Sequence, residues 1–449
     1  MKADLATKYD LRVPRYTSYP TAPHFTEAVD GAVYRRWLTE LSPDLDLSLY
    51  FHIPYCDTLC WFCGCYTKIV RRYEPVARYL DMLLDEIDLV ADTLGERFRA
   101  RHLHWGGGSP TLIEETDWQR LIERIHARFD VGPDAEVAVE MDPRDTTKKY
   151  VNALASAGVN RASIGVQDFH PEVQKAINRI QPFDTTKRVV DWLRHQGISG
   201  INMDLMYGLP YQTTERVVET VEKAVRLEPD RVALFGYAHV PWMKTHQKLI
   251  KDETLPDFSE RWQQSEAAAN RLVELGYVRI GFDHFARPDD DLAVAHAEGR
   301  MHRNFQGYTT DTAPALLGFG ASAIGSLPQG YVQNTQPLRT YREAVTFADF
   351  ATERGVALSD DDRLRRDIIE RLMCDMTVDL NALCKTHDMA RETLNDGMKR
   401  MEPLTEDGIV EVNDGRVTLT AQGRPFVRLV AAAFDAYLNK GEKRHSKAV

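Results

Sequence analysis

The sequence predicts an α/β fold: a partial (β/α)6 barrel over residues 45–358, with an N-terminal arm (residues 1–44) and a mainly helical, winged-helix-like C-terminal domain (residues 359–449). Three observations carry this expectation. Strand-like and helix-like patterns alternate from residue 45 to residue 237. Three cysteines fall within eight residues directly after the first strand. At 449 residues the chain exceeds one small domain but suits one large barrel with additions.

The elements follow in order. Residues 45–54 (LDLSLYFHIP) read as a strand. From Glu74 to Leu94, Val76, Leu80, Leu83, Ile87, Val90 and Leu94 recur at helical spacing, with Pro75 opening the helix and Gly95 closing it. Further strands are expected at 101–105, 135–141, 161–167, 200–206 and 231–237, with helices at 114–128, 146–157, 184–196 and 213–227. Strands joined by helical crossovers pair in parallel, and such sheets gather function at their C-terminal strand ends. Residues 1–44 show little core of their own. Residues 286–315 are polar, rich in His, Arg and Gly, and too long for an idle connection. Gly408 to Thr420 reads as a hairpin turning at Asn413-Asp414-Gly415, and with the helices before it suggests a winged helix.

Composition narrows the function. With 43% hydrophobic and 27% charged residues the chain is globular, and a net charge of −11 argues against non-specific nucleic-acid binding. Residues 359–449 hold 15 Lys/Arg against 17 Asp/Glu, which favours a packing or lid role over DNA reading. Met1 to Pro14 lacks an apolar export core, and the run Leu429 to Phe434 is far short of a membrane span, so a cytoplasmic protein is expected. In reducing cytosol, clustered cysteines serve metals or catalysis rather than disulfides. Cys374 and Cys384, alone in helix-like sequence, read as small buried apolar side chains.

Cys56-x3-Cys60-x2-Cys63 is the chemical signature. Three thiolates can wrap one iron–sulfur cluster and leave one iron open to a chelating ligand. Structural zinc usually takes four ligands in separated C-x2-C pairs, and a redox thiol pair is the other reading. Cys65, one residue beyond Cys63, is awkwardly spaced for the same cluster and fits a catalytic or structural thiol better.

A C-x3-C-x2-C loop after the first barrel strand resembles the radical S-adenosylmethionine (SAM) superfamily. Tyr50 to Cys65 (YFHIPYCDTLCWFCGC), His102 to Pro110 (HLHWGGGSP), Gly281 to Asp290 (GFDHFARPDD), Asn304 to Thr310 (NFQGYTT) and the arm segment Pro14 to Thr21 (PRYTSYPT) are similar to the oxygen-independent coproporphyrinogen III oxidase family. The matches run from residue 14 past residue 325. The resemblance implies a radical-SAM barrel holding a 4Fe-4S cluster on Cys56, Cys60 and Cys63. It also implies two SAM molecules. Tyr50, Gly107, Glu140 and Ile324 would serve the first, and Phe62, Gly108, Ser109, Gln167, Arg179, Asp204 and Ala238 the second. Tyr50, His52 and Cys65 would matter for catalysis.

Some of this has independent support. Glu140, Gln167 and Asp204 lie at or near predicted C-terminal strand ends, and Tyr50 and His52 alternate with Leu49 and Phe51 on one strand face. The glycine run Gly106-Gly107-Gly108 permits either close approach to a ligand or a tight strand-to-helix turn. The implied substrate, coproporphyrinogen III, carries four propionates, for which Arg15, Arg287, Arg300, His302 and Arg303 are candidate partners. The implied reaction converts two propionates to vinyl groups by hydrogen abstraction with a 5′-deoxyadenosyl radical, giving protoporphyrinogen IX. A flavodoxin- or ferredoxin-type electron donor and a monomeric state complete the implication. The rivals are a sibling radical-SAM protein of haem transfer or degradation, and a non-enzymatic iron–sulfur sensor.

Overall fold

In a computed structural model, Leu5, Lys8, Tyr9, Leu11 and residues 13–438 are described. Strands β1 (Leu47–Ile53), β2 (Arg99–Gly107), β3 (Asp130–Met141), β4 (Arg161–Gln167), β5 (Gly200–Tyr207) and β6 (Arg231–Gly236) lie side by side in chain order, all parallel. Helices α1 (Glu74–Leu94), α2 (Glu115–Arg128), α3 (Lys148–Ser156), α4 (Phe183–His195) and α5 (Thr214–Val225) provide crossovers between them. The expected strand–helix alternation is therefore present, with boundaries shifted by a few residues.

The sheet itself is twice as wide as expected. Beyond β6 come β7 (Val278–Ile280) and β8 (His284–Ala286), antiparallel, and on the other edge β9 (Ala315–Phe319) pairs in parallel with β1. Strands β10 (Ile324–Leu327), β11 (Gly330–Asn334) and β12 (Thr352–Ala357) continue antiparallel, giving the order β12-β11-β10-β9-β1-β2-β3-β4-β5-β6-β8-β7. These strands are short or buried without alternation. All five residues of β9 are buried, a pattern that periodicity cannot assign to a strand. Among the described residues no pairing closes β12 onto β7, so the barrel is partial.

The two sheet faces have opposite chemistry. On β1, Leu47, Leu49, Phe51 and Ile53 face the helices, and Phe51 stacks on Trp105 of β2 at 4.2 Å and on Phe319 of β9 at 5.0 Å. The alternate residues Ser48 and Tyr50 line a cavity with His102, His104, Glu136, Glu140, Ser163, Asn202 and Asp204 from the next four strands. One cavity touching alternate residues of β1 to β6 requires the sheet to curl around it.

The arm is shared between two cores. Val29, Tyr34, Trp37 and Leu38 join the barrel core, through a helix at Gly31–Thr39. Tyr9, Val13, Tyr16 and Tyr19 instead pack with Leu364, Ile368, Phe426 and Phe434 of the C-terminal region. That region has helices Asp360–Asp375, Leu380–Thr386 and Asn395–Glu406, and strand Thr377–Asp379 beside a hairpin of Val410–Asn413 and Arg416–Leu419. Asp414 and Gly415 form the turn with φ of +50° and +81°, as a two-residue hairpin of this hand needs. The polar stretch 286–315 is folded too: it carries a helix at Asp291–Ala297 and a hairpin of His302–Asn304 and Gly307–Thr309. Among the described residues no helix is long and apolar enough to cross a membrane.

Candidate active site

The cysteine loop leaves β1 at the C-terminal end of the parallel strands. Its first turn is fixed by a short parallel pairing of Tyr55–Cys56 with Lys68–Ile69. Other loops hold it by its backbone. Trp61 N–H donates to Ile177 O at 3.0 Å, and Asn178 Nδ2 donates to Leu59 O at 2.8 Å. From residues 244–247, His246 Nε2 donates to Cys63 O (2.7 Å), Lys244 Nζ to Cys65 O (3.0 Å) and Gln247 Nε2 to both Phe62 O (2.9 Å) and Ala238 O (3.3 Å). All six cysteines are free thiols.

Two cations attend the buried Cys60. Arg144 Nη2 lies 3.3 Å and Arg179 Nη1 3.6 Å from its Sγ. Asp142 Oδ2 joins the pair, accepting from Arg144 Nη2 at 2.6 Å and Arg179 Nη1 at 2.9 Å. Burial works against the Asp142 charge, but Arg179 and then Arg144 outweigh it and hold the carboxyl at about 2. Arg179 also donates to Gly165 O at 2.6 Å. At Cys63, hydrogen bonding from Cys65 outweighs burial and, with Lys244 and His246, lowers the thiol to about 6. Cys65 is pushed up in turn by the same hydrogen bond, by the Cys63 charge and by burial.

Beside the loop lies the cavity of about 320 Å³, lined by Tyr50, Cys65, Glu140 and Asp204 among others. Tyr50 OH and His52 Nδ1 are 3.0 Å apart, and His52 Nε2 donates to Tyr66 O at 3.2 Å, which makes Nδ1 the acceptor for Tyr50. Burial lowers the His52 pKa, so the ring is neutral near pH 7. Glu140 accepts from His104 Nε2 and from Gly107 N–H, both at 3.1 Å. Burial opposes its charge, but His104 and the Gly107 N–H prevail and keep it below the usual carboxylate range. Asp204, opposite, is pushed up to about 7, by burial first and by Glu140 second. The cavity thus pairs an ionised carboxylate with one poised to hold a proton.

The glycine turn packs protein against protein. A Cβ on Gly106 would come within 2.6 Å of Glu140 Oε1, one on Gly107 (φ +107°) would fall on the His52 ring, and one on Gly108 on the Tyr55 carbonyl. Gly108 N–H and Ser109 N–H donate to Ile53 O (2.8 Å) and Tyr55 O (2.7 Å). The run therefore lets Glu140, His52 and the cysteine loop converge. Of the other expected residues, Gln167 ends β4 at φ +69°, with its side chain beside Arg179 over Gly165. Phe62 packs with Ile177, Leu209 and Tyr237. Ile324 approaches through its backbone, because its carbonyl covers Gly318, the residue paired with Tyr50. Its side chain instead packs toward Phe25 and Tyr331.

Sequence reasoning missed Asp142, Arg144, His104, His246 and Gln247. Asp142 and Arg144 directly follow β3, so their place at a C-terminal strand end was a usable signal. The other three are recognisable only once the loops are placed.

A second cavity of about 450 Å³ shares Asn304, Thr309, Asp311 and Leu316 with the first. The arm (Tyr16 to Tyr19), the hairpin (His302, Arg303, Phe305) and helix Asp360–Asp375 (Arg366, Arg371) wall it. Arg303 lies over the Tyr308 ring at 4.4 Å. Of the other candidate propionate partners, Arg287 and Arg300 face solvent on Asp289 and Glu298, and Arg15 donates to Gly236 O at 3.3 Å. The stretch 286–315 therefore contributes its hairpin and the following residues Asp311 to Pro314 to this cavity, while Arg287 and Arg300 stay outside it.

Comparison with known proteins agrees with this geometry. Residues 50–224 match the Radical SAM superfamily, and residues 358–426 match the HemN C-terminal domain. An oxygen-independent coproporphyrinogen III oxidase of Bradyrhizobium diazoefficiens is 52% identical over 450 residues, covering 100% of each chain. The chain belongs to the oxygen-independent coproporphyrinogen III oxidase family. Another member of that family, from Paracoccus denitrificans, is 44% identical over 98% of this chain and 97% of its own. The solved structure of coproporphyrinogen III oxidase (HemN) from Escherichia coli, described as a radical SAM enzyme, superposes with a TM-score of 0.91 at 38% identity, covering 95% of this chain and 100% of that one.

Radical SAM members of this family hold a 4Fe-4S cluster and SAM. The residues here fit both groups. Three free thiols stand within eight residues of one loop, N–H and guanidinium donors face two of their sulfurs, and a carboxylate-bearing cavity adjoins the loop.

Proposed function

We propose that this protein carries out oxygen-independent oxidative decarboxylation of coproporphyrinogen III to protoporphyrinogen IX in porphyrin and haem biosynthesis. One observation supports the reading above others: the cysteine loop borders a cavity that shares walls with a second, arginine-bearing cavity. When bound, the cluster and SAM supply a 5′-deoxyadenosyl radical. Cys56, Cys60 and Cys63 hold the cluster. Tyr50, Gly107, Glu140 and Ile324 orient one SAM, and Phe62, Gly108, Ser109, Gln167, Arg179, Asp204 and Ala238 a second. Ionised Glu140 suits an ammonium group or ribose hydroxyls, and Arg179 suits a carboxylate. Tyr50, His52 and Cys65 act at the cavity wall, and neutral His52 fixes the Tyr50 hydroxyl as a donor.

The substrate occupies the second cavity, with Arg303 and His302 facing its propionates. Each of two propionates, as the carboxylate, loses one β-hydrogen atom, releases one carbon dioxide, passes one electron to an external one-electron acceptor, and becomes a vinyl group. Holding the reacting carbon in van der Waals reach is the main task of the walls. The arm, the barrel and the C-terminal region divide at residues 44 and 358, the last acting as a packing lid. We further propose a cytoplasmic monomer served by a flavodoxin- or ferredoxin-type electron donor.

The test is one anaerobic reaction of reconstituted protein, reductant, SAM and coproporphyrinogen III, followed by mass spectrometry. Loss of two carboxyl groups together with 5′-deoxyadenosine is expected. Formation of 5′-deoxyadenosine with an untouched tetrapyrrole would leave the cofactor chemistry standing and overturn the substrate.

A further inference from the structure

The cysteine loop lies where the surface is apolar and basic at once. Ile69 (42% exposed), Ile180 (58%), Trp242 (47%), Met243 (65%) and Leu249 (55%) are five large exposed apolar side chains on the three segments that flank the cysteine loop. Each segment is tied to it. Residues 68–70 bond to Pro54 O and Cys56 O, residues 177–178 to Trp61 N–H and Leu59 O, and residues 244–247 to the carbonyls of residues 62–65. Exposed apolar groups gathered in one place mark a contact surface.

Charge selects the partner. Segments 66–72 and 239–251 hold six lysines and arginines and no aspartate or glutamate, on a chain whose net charge is −11. Lys68, Arg71, Arg72, Lys248 and Lys251 of that set are exposed. Exposed Asp57, Asp252 and Glu253 border this face, and Glu172 is paired with Arg216 at 2.9 Å, so the six basic side chains outnumber those three acids by two to one. We propose that this face docks a small acidic protein carrying single electrons, which delivers the electron across the cysteine loop. The proposal rests on the function proposed above and adds the place and chemistry of the partner. The basic rim steers the carrier, and the apolar side chains hold it briefly within reach of the thiols.

The test compares two reductants for the same reconstituted enzyme: dithionite, which needs no docking, and a recombinant reduced flavodoxin as the acidic probe. Formation of 5′-deoxyadenosine is read for the wild type and for the double variant Lys248→Glu, Lys251→Glu. With dithionite the two should agree within about twofold. With flavodoxin the variant should be slower by about tenfold, and the wild-type rate should fall with added salt while the variant's stays flat. If the double variant loses dithionite activity, Arg71→Glu with Arg72→Glu on the opposite flank carries the same comparison. A dithionite-active variant that takes electrons from flavodoxin at the wild-type rate overturns the docking face alone. A wild type that makes no 5′-deoxyadenosine even with dithionite overturns the functional reading, and the docking face with it.

Discussion

Gly107 shows how little room the site leaves. At φ +107° it occupies backbone space that side chains disfavour, and a methyl group there would fall on the His52 ring. Gly107→Ala should therefore destabilise the apo protein by about 2–4 kcal/mol in urea unfolding and break the Gly107 to Glu140 contact. Asp204 carries a pH signature. Its carboxyl is pushed up to about 7, so the folded form binds its proton more tightly than the unfolded form does. The cost of ionising it is absent below about pH 4, grows from there to about pH 7 and is full above. Asp204→Asn should accordingly raise stability by about 1–3 kcal/mol at pH 8, with the gain vanishing at pH 4, as measured by urea unfolding at the two pH values. The Cys65 backbone N–H donates to Cys63 Sγ at 3.4 Å; on the proposed reading, in which Cys65 lines the cavity and is no ligand, Cys65→Ser should keep its iron and its visible absorbance yet lose decarboxylation. The three thiols stood out in the sequence by their spacing, whereas Glu140 and Asp204 came from the family resemblance, with their place at strand ends in support. Arg144 did not stand out, because its contact with Cys60 spans 84 residues and depends on how two loops cross.

Among the elements, α1 has the largest task. Glu86, on its buried face, accepts from Gly320 N–H and Asn334 Nδ2 (both 2.6 Å) and from Tyr341 OH (2.7 Å). From the same helix Tyr79 OH donates to His52 O at 2.7 Å and accepts from Ala321 N–H at 3.0 Å. One helix thus clamps the end of β1, where the cysteine loop starts, to the turn between β9 and β10. Removing the carboxylate takes the acceptor from Gly320 N–H and Tyr341 OH, while Asn334 Nδ2 keeps Gly320 O at 3.0 Å. Glu86→Ala should cost about 3–5 kcal/mol, read by urea unfolding, and should lower iron retention after gel filtration. The periodicity of α1 was plain from sequence, and so were the six parallel strands. The six further strands escaped notice because they have three to six residues, too few for alternation to separate them from loops.

At the scale of the molecule, the arm is bound by the far end of the chain. Arg428, buried, donates to the carbonyls of Val13 and Pro14, Tyr16 OH donates to Asp435 Oδ2 at 3.0 Å, and Ala436 N–H donates to Tyr19 OH at 3.0 Å. Arg428→Met should raise amide exchange over residues 13–21 by tenfold or more while leaving β1 to β6 protected, as hydrogen-exchange mass spectrometry would show.

That tether also sets an order of events in the cell. Tyr16 and Asp435 are separated by 419 positions, and Tyr16 to Tyr19 form one wall of the second cavity. At ribosomal speeds of about 5–20 residues per second, the arm waits about 20–80 s for its partner to be made. Through that interval the barrel emerges with the cavity lacking its arm wall and, until residue 375 is made, its helix wall as well. The wall nearest the start of the chain is therefore the last to be set, and newly made protein offers a wider doorway to large ligands than the finished enzyme does.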